Sequence, residues 1–137
     1  ATGSTTIPND NTIPQITEGN EYMTLAITPK NTNNILKIEV TAYITNSQAA
    51  GSLLAAALFQ DSTANALAVG ASSISLAGLV QNIKFTHTMT AGTTSSTTFR
   101  VRAGGHAAGT TTFNGVGGSQ LYGGVFSSSI TITEYAS

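Results

Sequence analysis

Between residues 36 and 45 apolar and polar side chains alternate without a fault. Leu36, Ile38, Val40, Ala42 and Ile44 fall on one side, and Lys37, Glu39, Thr41, Tyr43 and Thr45 on the other. A period of two belongs to a strand with one face buried, because successive side chains of an extended chain point in opposite directions. A slip of one residue would turn the whole apolar set to water, so pattern and pairing register are tied together. The same period returns where Met23, Leu25 and Ile27 oppose Tyr22, Thr24 and Thr28. It recurs where Ile83, Phe85, His87 and Met89 oppose Asn82, Lys84, Thr86, Thr88 and Thr90. Phe99, Val101 and Ala103 oppose Thr98, Arg100 and Arg102, and Ile130 and Ile132 oppose Thr131 and Thr133.

The run LLAAALF at residues 53–59 is apolar on both sides. Flanked by turn residues, it reads as a strand buried on both faces in preference to a short helix. The polar turn at residues 61–64 then leads to Leu67 and Val69 as the return half of a hairpin, and residues 70–78 read as a soft connection. Gly104 and Gly105 close one strand, and the final third is rich in glycine at positions that mark turns and bulges. Together these pieces predict roughly eight or nine short strands and no helix, the pattern of an all-β, antiparallel two-sheet β-sandwich, jelly-roll-like in its connections. One domain is expected over residues 21–137, with residues 1–20, which hold Pro8 and Pro14, as an N-terminal arm or connector.

Composition sets bounds on function. Asp, Glu, Lys and Arg make up 8% of the chain, against roughly a quarter in an ordinary soluble domain. The net charge of −1 provides no basic field for nucleic acid. No apolar run approaches the roughly 20 residues of a membrane-spanning helix, so no membrane insertion is expected. Cysteine is absent, which excludes disulfides, thiolate nucleophiles and Cys-ligated zinc. A surface of hydroxyls and amides with few charges offers little electrostatic resistance to self-association, and it suits hydrogen bonding to neutral polar ligands.

Residues able to carry catalysis are scarce. The six acids are scattered, so no paired-carboxylate hydrolase emerges from spacing, and there is no G-x-S-x-G elbow. Asn9, Asp10 and Asn11 lack the glycine and distal glutamate of a calcium loop and read as an Asx turn. No enzyme activity, cofactor or metal is expected. Of the two histidines, His87 lies on an inward face and reads as structural, whereas His106 follows two glycines in a loop. The candidate ligand-binding set is His106, Asn114, Gln120 and Tyr122 in the Gly-rich loops, with Arg100 and Arg102 as the one basic doublet on a strand face. The doublet reads first as an ion pair with Glu39 or Glu134. Phe113 and Tyr122 read as aromatics that stack on a sugar ring or else fill core or interface.

Four stretches in succession, TIPQITEGNEYMTLAITP, ALFQDSTANALAV, MTAGTTSSTTFRVRAG and FNGVGGSQLYGGVFSSSITITE, span residues 12–134. Together they resemble the C-terminal domain of bacteriophage tail-fibre and related virion proteins. The resemblance implies a β-sandwich at the tip of a fibre on the virion, a homotrimer joined to the remainder of a parent fibre protein. It implies non-enzymatic receptor binding to host cell-surface polysaccharide or lipopolysaccharide. Two other readings stand beside it: a purely structural trimerisation or capsid-decoration knob, and an accessory domain of a polysaccharide depolymerase.

Overall fold

The computed structural model describes residues 1–137. In chain order the strands are β1 (Thr2–Gly3), β2 (Asn20–Ile27), β3 (Ile35–Asn46), β4 (Leu53–Gln60), β5 (Ala68–Ser73), β6 (Gln81–Thr90), β7 (Thr97–Gly105), β8 (Thr111–Phe113), β9 (Gly115–Val116), β10 (Ser119–Gln120) and β11 (Ser129–Tyr135). One short 3-10 turn, Tyr122–Gly124, is the only helical element. All pairings are antiparallel. The all-β sandwich read from the alternation is the fold.

The faultless strand is the centre of the first, five-stranded sheet. Along one side of β3 runs β6, from Ile35↔Thr90 to Ile44↔Gln81. The other side is shared, β11 pairing with Ile35 to Thr41 and β8 with Ile44 to Asn46. β1 lies beyond β8. The second sheet has the order β2-β7-β4-β5. Between the sheets lie Leu36, Ile38, Val40, Ala42 and Ile44 of β3, Leu54, Ala56 and Leu58 of β4, and Phe99, Val101 and Ala103 of β7. Burying each of the four larger β3 side chains is worth about 1.5–3 kcal/mol. A one-residue slip therefore forfeits roughly 6–12 kcal/mol, the size of a whole domain's stability.

The second sheet is covered on its other face as well. There Ala57 and Phe59 of β4 are sealed by Ile7, whose N–H donates to the Gly105 carbonyl at 3.0 Å. Gly104 permits this approach, because a Cβ there would lie 2.4 Å from the Thr5 carbonyl oxygen. Ala57 and Phe59 are thus buried on the second face, as the composition of residues 53–59 predicts, while Leu53 and Ala55 on that face are half-buried.

Two expectations need correction. Residues 70–78 are not wholly a soft connection, since β5 runs to Ser73 and pairs with β4 in register from Leu58↔Ala68 to Leu53↔Ser73. Gly70 belongs in that strand because it faces β6 closely: a Cβ would meet Ile83 and Phe85 at 2.8 Å. In β2 a bulge between Glu21 and Met23 breaks the simple alternation. Tyr22 turns inward and stacks on Phe113, with ring centroids 4.7 Å apart and planes 10° apart. Leu25, on this edge strand, stays partly in water.

Candidate functional site

The residues singled out from sequence do not converge. Arg100 and Arg102 leave β7 on its outer face, where both meet Glu21 of the neighbouring β2, at 3.4 and 3.9 Å. An ion pair is what the doublet forms, with Glu21 and not with Glu39 or Glu134. Arg102 does more, donating from Nε to the Glu18 carbonyl and from Nη2 to the Gly19 carbonyl, both at 2.8 Å. These bonds pin the entry to β2, so neither guanidinium is a free anion clamp.

His106 is half-buried and tied to β4. Its Nδ1 accepts from the Leu53 N–H at 3.1 Å, and its own N–H donates to the Leu53 carbonyl at 3.0 Å. The imidazole therefore extends the β4–β7 pairing past the end of β7. Asn114 sits at φ +59°, a left-handed turn position that asparagine tolerates. Its Oδ1 accepts from the Ser128 N–H and hydroxyl at 2.8 and 2.6 Å, fastening the loop to the start of β11. Gln120 is exposed on β10, opposite Gly115. Tyr122 projects strongly, at 75% exposure.

Tyr122 belongs to a surface that sequence reasoning took only in part. Phe126 lies 4.7 Å from the Tyr43 ring on the outer face of β3, and Tyr122 meets Phe126 edge-on at 5.8 Å. Val125 stands beside them at 86% exposure. Val80 and Leu79, which precede β6, are also exposed, and Asn82 of that strand lies opposite Tyr43. Tyr122 holds φ +50° and is followed by Gly123 and Gly124, also at positive φ. A bulky residue there costs on the order of 1–3 kcal/mol, and such strain gathers at sites of function. The missed signal was the outward parity of Tyr43, which marks it as an apolar residue on a polar face.

Beyond this patch the outer face of the first sheet carries few charges. Thr86 and Thr88 of β6 flank β3 on one side and Thr131 and Thr133 of β11 on the other, around an exposed Lys37–Glu39 pair at 3.5 Å, and Lys84 of β6, exposed opposite Thr41, adds one cation outside any ion pair.

The acids are engaged one by one. Glu18 accepts from the Gln15 N–H, and Asp61 accepts from the Thr97 hydroxyl and the Thr98 N–H. Glu134 accepts from the Asn34 side-chain amide and the Lys30 N–H, each at 2.7 Å, and these bonds hold its carboxyl below the usual glutamate range. Asp10 closes an Asx turn on the Thr12 hydroxyl and N–H, which lower its carboxyl in the same way. Burial alone pushes the Tyr22 phenol up to about 12, and its hydroxyl has no hydrogen-bond partner. No group of three or more His, Asp or Glu side chains is arranged to hold a metal ion.

The surface has three cavities. Two adjoin each other between residues 7–14 and the outward side of β5, sharing Asp10, Thr12, Pro14 and Val69. The third, of about 330 Å³, lies where the end of β3 meets β8 and the β9–β10 turn, and Val116 is its one hydrophobic lining residue. None of His106, Asn114, Gln120, Tyr122, Arg100 and Arg102 lines any of the three.

No curated protein matches the chain. Residues 4–137 match the family model described as the Pgp3 C-terminal domain. This overturns the likeness to phage tail-fibre domains, and with it the reading as a host-receptor tip and the placement on a virion, because the family is that of a Chlamydia protein. The misleading stretches have a structural reason. Residues 60–66 hold the turn with Asp61 at φ +51°, and residues 119–124 hold the positive-φ run at Tyr122 to Gly124. Such turn chemistry recurs wherever short antiparallel strands are joined, whatever the family.

Proposed function

The chain belongs to the Pgp3 C-terminal domain family, and from that premise we propose that it is a non-catalytic association module that packs against further copies of itself. The observation that carries this reading is the Tyr43, Phe126, Tyr122 and Val125 patch on the outer face of the five-stranded sheet. A projecting apolar cluster in strained backbone, beside a threonine-rich face whose only charges are the Lys37–Glu39 pair and Lys84, fits burial against a second copy of the chain. Threonine hydroxyls contribute donors and acceptors there at a lower desolvation cost than charged side chains would. Catalysis has little to draw on, since the carboxylates and both guanidiniums of β7 serve internal contacts.

Knob and face are unlike surfaces, which favours a head-to-tail contact over a self-complementary one. Head-to-tail contacts give open filaments unless the rotation between copies closes a ring, and three copies make the smallest such ring, so the state we propose is a homotrimer. Light scattering and sedimentation at micromolar concentration test this. A trimer is expected for the native chain, and Val125→Asp, which changes an exposed side chain and leaves the core alone, is expected to dissociate it. A native chain that stays monomeric, or a Val125→Asp trimer of undiminished stability, overturns the proposal.

A further inference from the structure

We infer that the third cavity is a binding site for a small neutral polyhydroxyl ligand, of the size of one sugar ring or a cyclitol. Its volume of about 330 Å³ is at the lower end of small-molecule sites. Three of its lining side chains, Thr45, Asn46 and Thr112, are each only 2% exposed. Buried polar groups ordinarily have at least one hydrogen-bond partner. These have theirs within the protein and keep further capacity.

Thr45 donates to the Gly115 carbonyl at 3.0 Å, which leaves its oxygen able to accept. Thr112 accepts from the Gly118 N–H at 2.9 Å, which leaves its hydroxyl proton to donate. Asn46 spends one amide proton on the Thr111 hydroxyl at 2.8 Å and its carbonyl on the Gln48 N–H at 2.9 Å, keeping one proton. At the rim, Ser47 accepts from the Thr110 N–H at 2.8 Å and likewise keeps its proton. The site thus offers both donors and an acceptor. No Asp, Glu, Lys, Arg or His lines it, so an ionic ligand would lose hydration without compensation. Vicinal hydroxyls, which donate and accept at once, match what remains.

Backbone forms part of the lining. Gly117 and Gly118 turn between β9 and β10 at φ +57° and +83°, and a Cβ on Gly117 would meet nothing within 4 Å. Tyr122 and Val125 do not line the cavity, so this site stands independently of self-association.

Amide NMR titration of the 137-residue chain provides the test. Glucose, N-acetylglucosamine and myo-inositol are added separately, and the two sugars are repeated as methyl glycosides, which stand for the end residue of a longer chain. Saturable shifts at Gly78, Gly117 and Gly118 are expected for at least one probe in the millimolar range, about 1–100 mM. Retained binding of the glycoside identifies a chain end as an acceptable source, and its loss restricts the ligand to the free molecule. Thr112→Val is expected to weaken binding about tenfold, as loss of a buried donor does. Val116→Phe, which removes no polar partner, is expected to abolish the shifts by filling the cavity, and it carries the test should Thr112→Val not fold. The inference is overturned by the absence of saturable shifts at these glycines for every probe, or by binding unchanged in Val116→Phe.

Discussion

Replacing Tyr22 by phenylalanine should stabilise this protein, although it removes a polar atom and adds none. The ring stays stacked on Phe113 at 4.7 Å, so its apolar contact survives. What disappears is a buried hydroxyl without a hydrogen-bond partner. An unsatisfied buried group costs about 1–3 kcal/mol, and relief at the lower end of that range, about 1 kcal/mol, is expected. For a domain of this length that corresponds to a rise in Tm of roughly 3–4 °C.

A second signature follows from ionisation. Folding raises the Tyr22 phenol from the ordinary 10.0 to about 12, with burial as the cause. Between these values the unfolded chain has released a proton that the folded chain still holds, so wild-type stability falls as pH rises from 10 towards 12. The variant lacks this proton, and its advantage should widen over the same window. Urea unfolding followed by far-UV circular dichroism at pH 7.5 and pH 11 measures both. A destabilisation of about 1 kcal/mol or more at neutral pH would mean that the hydroxyl has a partner and would refute the reasoning.

Three further outcomes are expected. Gly104→Ala places a Cβ 2.4 Å from the Thr5 carbonyl and should cost about 1–3 kcal/mol, with faster amide exchange at Ile7 as the local readout. Asn114→Ala loses both bonds from Ser128 and puts alanine at φ +59°, so a loss of roughly 2 kcal/mol is expected in a urea melt, together with weaker self-association in sedimentation. Glu134 is held below the ordinary glutamate value of 4.5 first by Asn34 and then by the Lys30 N–H. Its stabilising contribution is present above pH 4.5 and is lost as pH falls through the folded value, so acid unfolding of Glu134→Gln should show a shallower pH dependence below 4.5.

Much of the fold was legible because burial imposes a period on the chain. β3, β6 and β7 follow the parity of their side chains, and β4 announces itself by being apolar on both sides. The misreadings fall where local conformation overrides parity. The bulge before Met23 turns Tyr22 inward, and Gly70 extends β5 because a strand over Ile83 and Phe85 has no room for a side chain. The candidate site was less legible. Arg100 and Arg102 are an exposed pair by pattern, but their partner Glu21 lies on a strand 79 residues away in the chain for the Arg100 contact. His106 and Asn114 look like free loop residues until folding brings Leu53 and Ser128 within hydrogen-bond distance.

The amino-acid order alone fixes strands, inward faces and the scarcity of charge, since each depends on residue type and spacing within a short window. Which polar side chains are already committed, and which keep a spare donor, is decided only by folding. Thr45 and Thr112 are two threonines among many in the chain, yet opposite one another across β3 and β8 they floor a cavity. Hydrogen bonding acts over about 3 Å, and it is the packing of distant segments, not their composition, that sets such distances.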